Sequence, residues 1–235
     1  MLKVADHERR KRTVISQIKL VDGVLLILDL QGDSMQVLIF CEDESAVSRR
    51  TQLVSSVAGC DDPLILRNLD ALGFHRCNLV PNKTDLMILK SLRKNPRKSL
   101  NHIASEIGVS VRTVERRITS MTDKNAFFHM LRLDFQKSDA LLCSLIVSYK
   151  DERRKSKLDP IIASRIEKLF YSATSGKAAS VFNFACSNVT EPEILLEWVN
   201  DQDGVAQTRM GFIREYILVS DWLDNEIERM IASRA

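Results

Sequence analysis

The chain has 235 residues, 45% hydrophobic and 28% charged, with a formal net charge of +3. A fold of this length buries roughly 70–75% of the surface its unfolded chain exposes, so its core requires no disulfide or metal, and the composition is globular rather than disordered. No apolar run approaches the ~18–20 residues of a membrane span, the charged start MLKVADHERRKR lacks the apolar stretch of a signal peptide, and five cysteines without a CxxC pair point to buried thiols in a reducing cytoplasm.

In chain order, the first elements are a predicted helix over 7–20 and a strand over 23–30 that ends at Gly32. A strand over 35–41, a helix over 44–57 and, past Gly59, a last strand over 62–67 follow. The strands are rich in Val, Ile and Leu, as buried sheet residues are. His75 and Cys77 lie two apart with no second ligand pair after them, so no zinc site is expected.

The next segment is helical. In TDLMILKSLRKN (84–95), Leu86, Leu89 and Leu92 recur at spacings of three beside Ile88, and Thr84 is the expected N-cap. Pro96 stops this helix, because the residue before a proline avoids helical geometry. SLNHIASEI (99–107) restarts with Ser99 as cap and turns Leu100, Ile103, Ala104 and Ile107 inward. Gly108 suits a tight turn. Ser110 then caps a third helix, 110–124, with Val114, Ile118 and Met121 inward and Val111, Arg112, Thr113, Arg116 and Thr119 outward. A short helix, a tight turn and a third helix with an exposed start make a helix-turn-helix. After Lys124, AFFHMLRLDF suggests a strand or wing.

A strand over 140–150, a helix over 159–169, strands over 170–174 and 179–186, a helix over 191–200 and a strand over 207–219 complete a βαββαβ, ferredoxin-like unit. The stretch from Asp6 repeats in order from Asp151, and Gly32 and Val37 match Gly176 and Val181 at one offset. The first copy offers only MLKV where the second has IVSYK. Either the true start lies upstream of Met1, or the first sheet lacks most of an edge strand. The run SDWLDNEIERMI (220–231) reads as a final helix, capped by Ser220, that covers a sheet or joins a dimer through Leu223, Ile227, Met230 and Ile231.

Charge is unevenly placed. Residues 83–125 carry ten Lys or Arg against four acids, a net +6, which leaves the remainder at −3. A basic island in an acidic chain points to a polyanion partner for that island alone. Early positions of the third helix would meet base edges, where arginine reads guanine. Arg93, Arg97, Lys98 and Arg117 suit phosphates, and the helix starts at Ser99 and Ser110 favour an anion. No phosphate loop, metal cluster or nucleophile motif is present in the sequence, so neither catalysis nor a cofactor is expected.

The order Asp85-x-x-Ile88-Leu89, Asn95-Pro96-Arg97, Ala104, Gly108-Val109-Ser110 and Thr113-Val114-x-x-Arg117-Ile118 resembles the winged helix-turn-helix of Lrp/AsnC transcription regulators. Residues 135–219 resemble that family's βαββαβ effector domain, known as RAM, and tandem forms of this type are similar to archaeal regulators. The resemblance implies an α+β fold, a winged helix-turn-helix flanked by two ferredoxin-like, RAM-like domains, the first incomplete. Its expected limits are 1–68 for the incomplete domain, 69–82 for a linker and 83–134 for the DNA-binding domain. The second RAM-like domain then spans 135–219 and the C-terminal helix 220–235. A further helix-turn-helix upstream is expected of the ancestral arrangement.

The resemblance further implies a cytoplasmic regulator that binds double-stranded DNA through Arg97, Lys98, Ser99, Ser110, Val111, Arg112, Thr113, Arg116 and Arg117. Its RAM-like sheets would self-associate as a dimer or higher, or pair the two copies within one chain. Effector-binding members carry Gly-x-x-Asp after the strand glycine, and neither Gly32 nor Gly176 is followed by that aspartate. These two turns are the candidate effector positions, with no effector named. The rival reading is a subunit that reads no DNA itself and pairs with a paralogous, complete regulator.

Overall fold

The elements of the computed structural model are β1 (Leu2–Lys3), α1 (Glu8–Ile18), β2 (Val24–Leu30), β3 (Ser34–Ile39), α2 (Glu44–Ala58), α3 (Lys83–Lys94), α4 (Leu100–Ile107), α5 (Val111–Asp123), β4 (Leu141–Tyr149), α6 (Glu152–Arg165), β5 (Leu169–Ser175), β6 (Ala179–Cys186), α7 (Thr190–Asn200), β7 (Val205–Leu218) and α8 (Asp221–Ala232). The structure describes residues 2–3, 8–66, 79–127, 139–175, 178–219 and 221–234. They divide into two units, Met1–Gly73 with Asp134–Val219, and Phe74–Leu133 with Ser220–Ala235. Among the described residues no helix is long and apolar enough to cross a membrane.

The first unit is one seven-stranded antiparallel sheet in the order β1-β3-β2-β7-β4-β6-β5. Its second half, β7-β4-β6-β5 with α6 and α7, is the expected ferredoxin-like arrangement. Its first half, β1-β3-β2 with α1 and α2, has the same order without a fourth strand. That strand, expected over 62–67, does not form: residues 61–66 belong to no strand. Pro63 stands inside the expected run and has no N–H for a ladder. Leu64 and Leu66 pack instead on Ile146, Ala173 and Val181.

By the order of the second half, the missing strand would stand beside β1; at the opposite edge, β2 pairs with β7, a 14-residue strand. Its first part pairs with β4, from Val205 opposite Tyr149 to Phe212 opposite Cys143. Its last part pairs with β2, from Ile213 opposite Leu30 to Leu218 opposite Leu26. The two copies, expected as separate domains, therefore share one sheet. A Cβ on Gly211 would sit 3.1 Å from the Leu30 side chain, so the absence of a side chain lets β7 run beneath it.

Helices cover one face of each half. Val14, Ile18, Ile27, Met35 and Val54 form the core under α1 and α2, and Leu145, Leu158, Ile162, Phe182 and Val199 the core under α6 and α7. The other face curls on itself and joins Leu28 and Leu30 to Leu142 and Ile213. Gln36 of β3 donates to Ser144 of β4 and accepts from Asn183 of β6 at 3.0 Å, although β3 is a neighbour of neither strand in the sheet. Covered on both faces, β4 reads as a nearly unbroken apolar run.

Two readings of the repeat change. Val37 packs on the α1–α2 side, whereas Val181 faces the opposite surface, and Phe182 occupies the helix-covered side. The equivalence in β3 and β6 thus lies one residue further along than the glycine offset gives. The helix expected over 159–169 runs over Glu152–Arg165, capped by Asp151, whose carboxylate accepts from the Arg154 N–H at 2.8 Å.

A buried ion pair fastens the first half. Lys11 and Asp29 are each 2% exposed and 2.5 Å apart. The Lys11 ammonium also donates to the carbonyls of Leu30 at 2.5 Å and Gly32 at 2.8 Å, so the Gly32 turn, a candidate effector position, is tied to a structural lysine. Arg214 of β7 donates to Asp29 Oδ2 at 2.7 Å, which crosses the β2–β7 seam. Replacing Asp29 with asparagine is expected to cost about 3–5 kcal/mol, because Lys11 is left buried without a counter-charge. Lys11→Met is expected to cost less, since Asp29 keeps Arg214. Urea unfolding followed by circular dichroism checks this order, and a larger loss for Lys11→Met would contradict it.

Candidate nucleic-acid interface

The second unit is built around Ile88, Leu92, Ile103, Ala104, Val114 and Met121, one apolar stripe from each of α3, α4 and α5. Ala126 and Phe127 add to its edge; the rest of the expected strand or wing over 126–135 lies outside the described residues. The α3 N-cap is Asn82 rather than Thr84. Asn82 accepts from the Asp85 N–H and Asp85 accepts from the Asn82 N–H, both at 2.9 Å, a reciprocal capping box. Pro96 follows the end of α3 as expected.

The α4–α5 turn is three residues long. Gly108 takes φ 71° and ψ 35°, a left-handed conformation that disfavours a side chain. The Val109 N–H donates to the Ala104 carbonyl at 3.1 Å, and Val109 packs on the core. Ser99 accepts from the His102 N–H at 3.3 Å, and Ser110 from the Thr113 N–H at 3.2 Å. The Ser110 and Thr113 hydroxyls are themselves 2.9 Å apart. Ser99, Ser110 and Thr113 are thus local caps that fix where α4 and α5 begin.

Several expected phosphate contacts are held inside the unit. Arg117 makes a two-point contact with Asp85, through Nε at 2.6 Å and through the guanidinium end. Asp85 is fully buried and Arg117 is 23% exposed. The hydrogen bond to Asp85 holds the Arg117 pKa above its ordinary value. Lys98 donates to Glu106 at 2.6 Å and to Ser91 at 2.9 Å. Hydrogen bonds from Lys98 and Ser91 lower the Glu106 pKa.

Arg93 reaches Asp224 at 2.6 Å, and Lys90 reaches Glu228. The helix α8, expected to cover a sheet or join a dimer, thus lies antiparallel along α3, with Ile227 buried. The Arg93 hydrogen bond lowers the Asp224 pKa. The expected cap Ser220 and the turn at Gly176 lie outside the described residues.

What remains outward is narrower than the sequence suggests. Val111, Arg112 and Arg116 on α5 and Arg97 in the α3–α4 loop are exposed. Among the described residues the three arginine side chains have no hydrogen-bond or ion-pair partner. Arg112 and Arg116 are one helical turn apart, so they share a face. Glu115 and Thr119 are exposed beside them. Sequence reasoning missed the Asp85–Arg117 clamp; Asn82 and Asp85 carry a capping-box spacing, but a partner 32 residues on leaves no local signal.

Residues 81–125 match the family model described as winged helix-turn-helix DNA-binding. No curated protein sequence matches the chain. Among solved structures, the chain is similar to AsnC of Escherichia coli, at 16% identity over 58% of this chain and 94% of that one, with a TM-score of 0.47. It is similar to a transcriptional regulator of Neisseria meningitidis solved with L-methionine, at 16% identity over 58% and 91%, TM-score 0.49. It is also similar to LrpC of Bacillus subtilis, at 20% identity over 59% and 98%, TM-score 0.44.

The clamp has a direct test. Arg117→Ala leaves a buried carboxylate without its cation and is expected to cost about 3–5 kcal/mol. Arg117→Lys falls between, because an ammonium cannot reproduce the two-point fork. Arg112→Ala and Arg116→Ala stay within about 0.5 kcal/mol of the parent, as exposed substitutions do. Thermal melts check all four; an Arg117→Ala protein that melts like the parent would refute the structural role.

Proposed function

We propose that this chain is a sequence-specific DNA-binding transcription regulator of the Lrp/AsnC type, with α5 as the recognition helix in the major groove. The observation that carries this reading is the outward face of α5. Arg112 in the first turn and Arg116 one turn on are exposed without partners among the described residues, while Arg93, Lys98 and Arg117 are engaged within the unit. The winged helix-turn-helix match over 81–125 and the net charge of 83–125 support it.

In this reading Arg112 and Arg116 meet base edges, and guanine, with two acceptors in the major groove, is the favoured partner. Val111 offers an apolar contact beside them, and Arg97 neutralises a phosphate. Ser99, Ser110 and Thr113 set helix starts, and Lys98 and Arg117 hold the scaffold. The RAM-like copies pair within the chain and provide surfaces for self-association or for a small-molecule effector.

Equilibrium binding to a selected duplex tests this. Arg112→Ala or Arg116→Ala is expected to cost about 1–3 kcal/mol and to relax choice at one base position. Arg97→Ala weakens all sequences alike and reduces the slope of log affinity against log salt by about 0.9. Absence of salt-sensitive duplex binding by the full chain, with tight binding to a paralogous regulator, would favour the rival subunit reading instead.

A further inference from the structure

Glu115 is an anomaly on a surface meant for a polyanion. It lies on the exposed side of α5, three residues after Arg112 and next to Arg116. With Val111 and Thr119 it forms a row at spacings of four, and Arg112 and Arg116 form the adjacent row. Several acids of the unit have cationic partners: Asp85 holds Arg117, Glu106 holds Lys98, Asp224 holds Arg93 and Glu228 holds Lys90. Asp123 and Asp221 have none among the described residues, but they lie at the end of α5 and at the start of α8, away from Arg112 and Arg116 in sequence. Among the described residues Glu115 makes no ion pair or hydrogen bond, although arginines stand near it in sequence.

A carboxylate in this place repels phosphates and weakens binding to every duplex. It is favourable only where it meets a donor. In the major groove the donors are the amino groups of cytosine and adenine. Adenine presents its N7 acceptor beside the amino group, and that lone pair repels a carboxylate. Cytosine presents its N4 amino group with no adjacent acceptor on the same base.

We propose that Glu115 is a specificity-determining residue that accepts a hydrogen bond from the N4 amino group of a cytosine in the operator. This rests on α5 being the reading helix. The carboxylate lowers affinity for DNA in general and restores it at sites with cytosine in the matching position. Discrimination therefore comes from a repulsive element as well as an attractive one.

The test is selection of full-length protein on a randomised duplex pool, comparing the parent with Glu115→Gln and Glu115→Ala. Circular dichroism confirms that these exposed substitutions fold. The parent is expected to enrich cytosine at one position by about tenfold or more. Both variants lose that preference, keep the positions set by Arg112 and Arg116, and bind unselected duplex more tightly than the parent. Variants that gain affinity uniformly, with every base preference intact, would overturn the proposal and leave Glu115 a solvated charge. Loss of preference at the Arg112 and Arg116 positions as well would overturn it in favour of a positioning role. A parent that retains no duplex at low salt overturns it together with the reading helix itself.

Discussion

A carboxylate taken out of water requires a cation at fixed distance, and the Asp85–Arg117 pair imposes that requirement on the helical unit. Asp85 is fully buried at the start of α3, and Arg117 reaches it from the middle of α5. The pair fixes the rotation of α5 about its own axis relative to α3. With Arg117 turned inward, Val114 and Met121 meet the core, and Arg112 and Arg116 turn outward. The capping box ties Asp85 to Asn82, so the start of α3 belongs to the same network. Any surface that α5 offers to a partner is a consequence of this arrangement.

The same constraint acts in the sheet unit through Asp29. Its carboxylate meets Lys11 from α1 and Arg214 from β7, and so joins a helix and two strands across the line where the two copies meet. The copies are not symmetric. The second supplies a long β7 that serves both halves, and the first supplies Leu64 and Leu66 as a cover for the inner face of the second. The two halves of the sheet meet within the chain, where β2 runs beside β7.

Much of this was legible beforehand, and the failures share a cause. Periodic apolar residues such as Ile103, Ala104, Val114 and Met121 announce their helices, because local spacing decides which face is buried. Gly108 and Ser110 announce the turn through backbone chemistry confined to a few residues. The partners of Arg93, Lys98 and Arg117 could not be read, because exposed and clamped cations look alike in a sequence. Asp224 lies 131 residues from the Arg93 it engages. The strand expected over 62–67 was misread, since Pro63 within it was given no weight, and the length of β7 and its second partner are tertiary facts. The slip between Val37 and Val181 shows how a single residue inverts the face of a strand.

Arg117 is held by Asp85, whereas Arg112 and Arg116 stand outward on α5, and the proposed reading gives those two alone to DNA. Arginine side-chain Nε–Hε signals followed by nuclear magnetic resonance during titration with a selected duplex test it most directly. The Arg112 and Arg116 signals are expected to shift and sharpen as DNA is added while that of Arg117 stays where Asp85 holds it. Movement of the Arg117 signal on binding, with Arg112 and Arg116 unchanged, would contradict it.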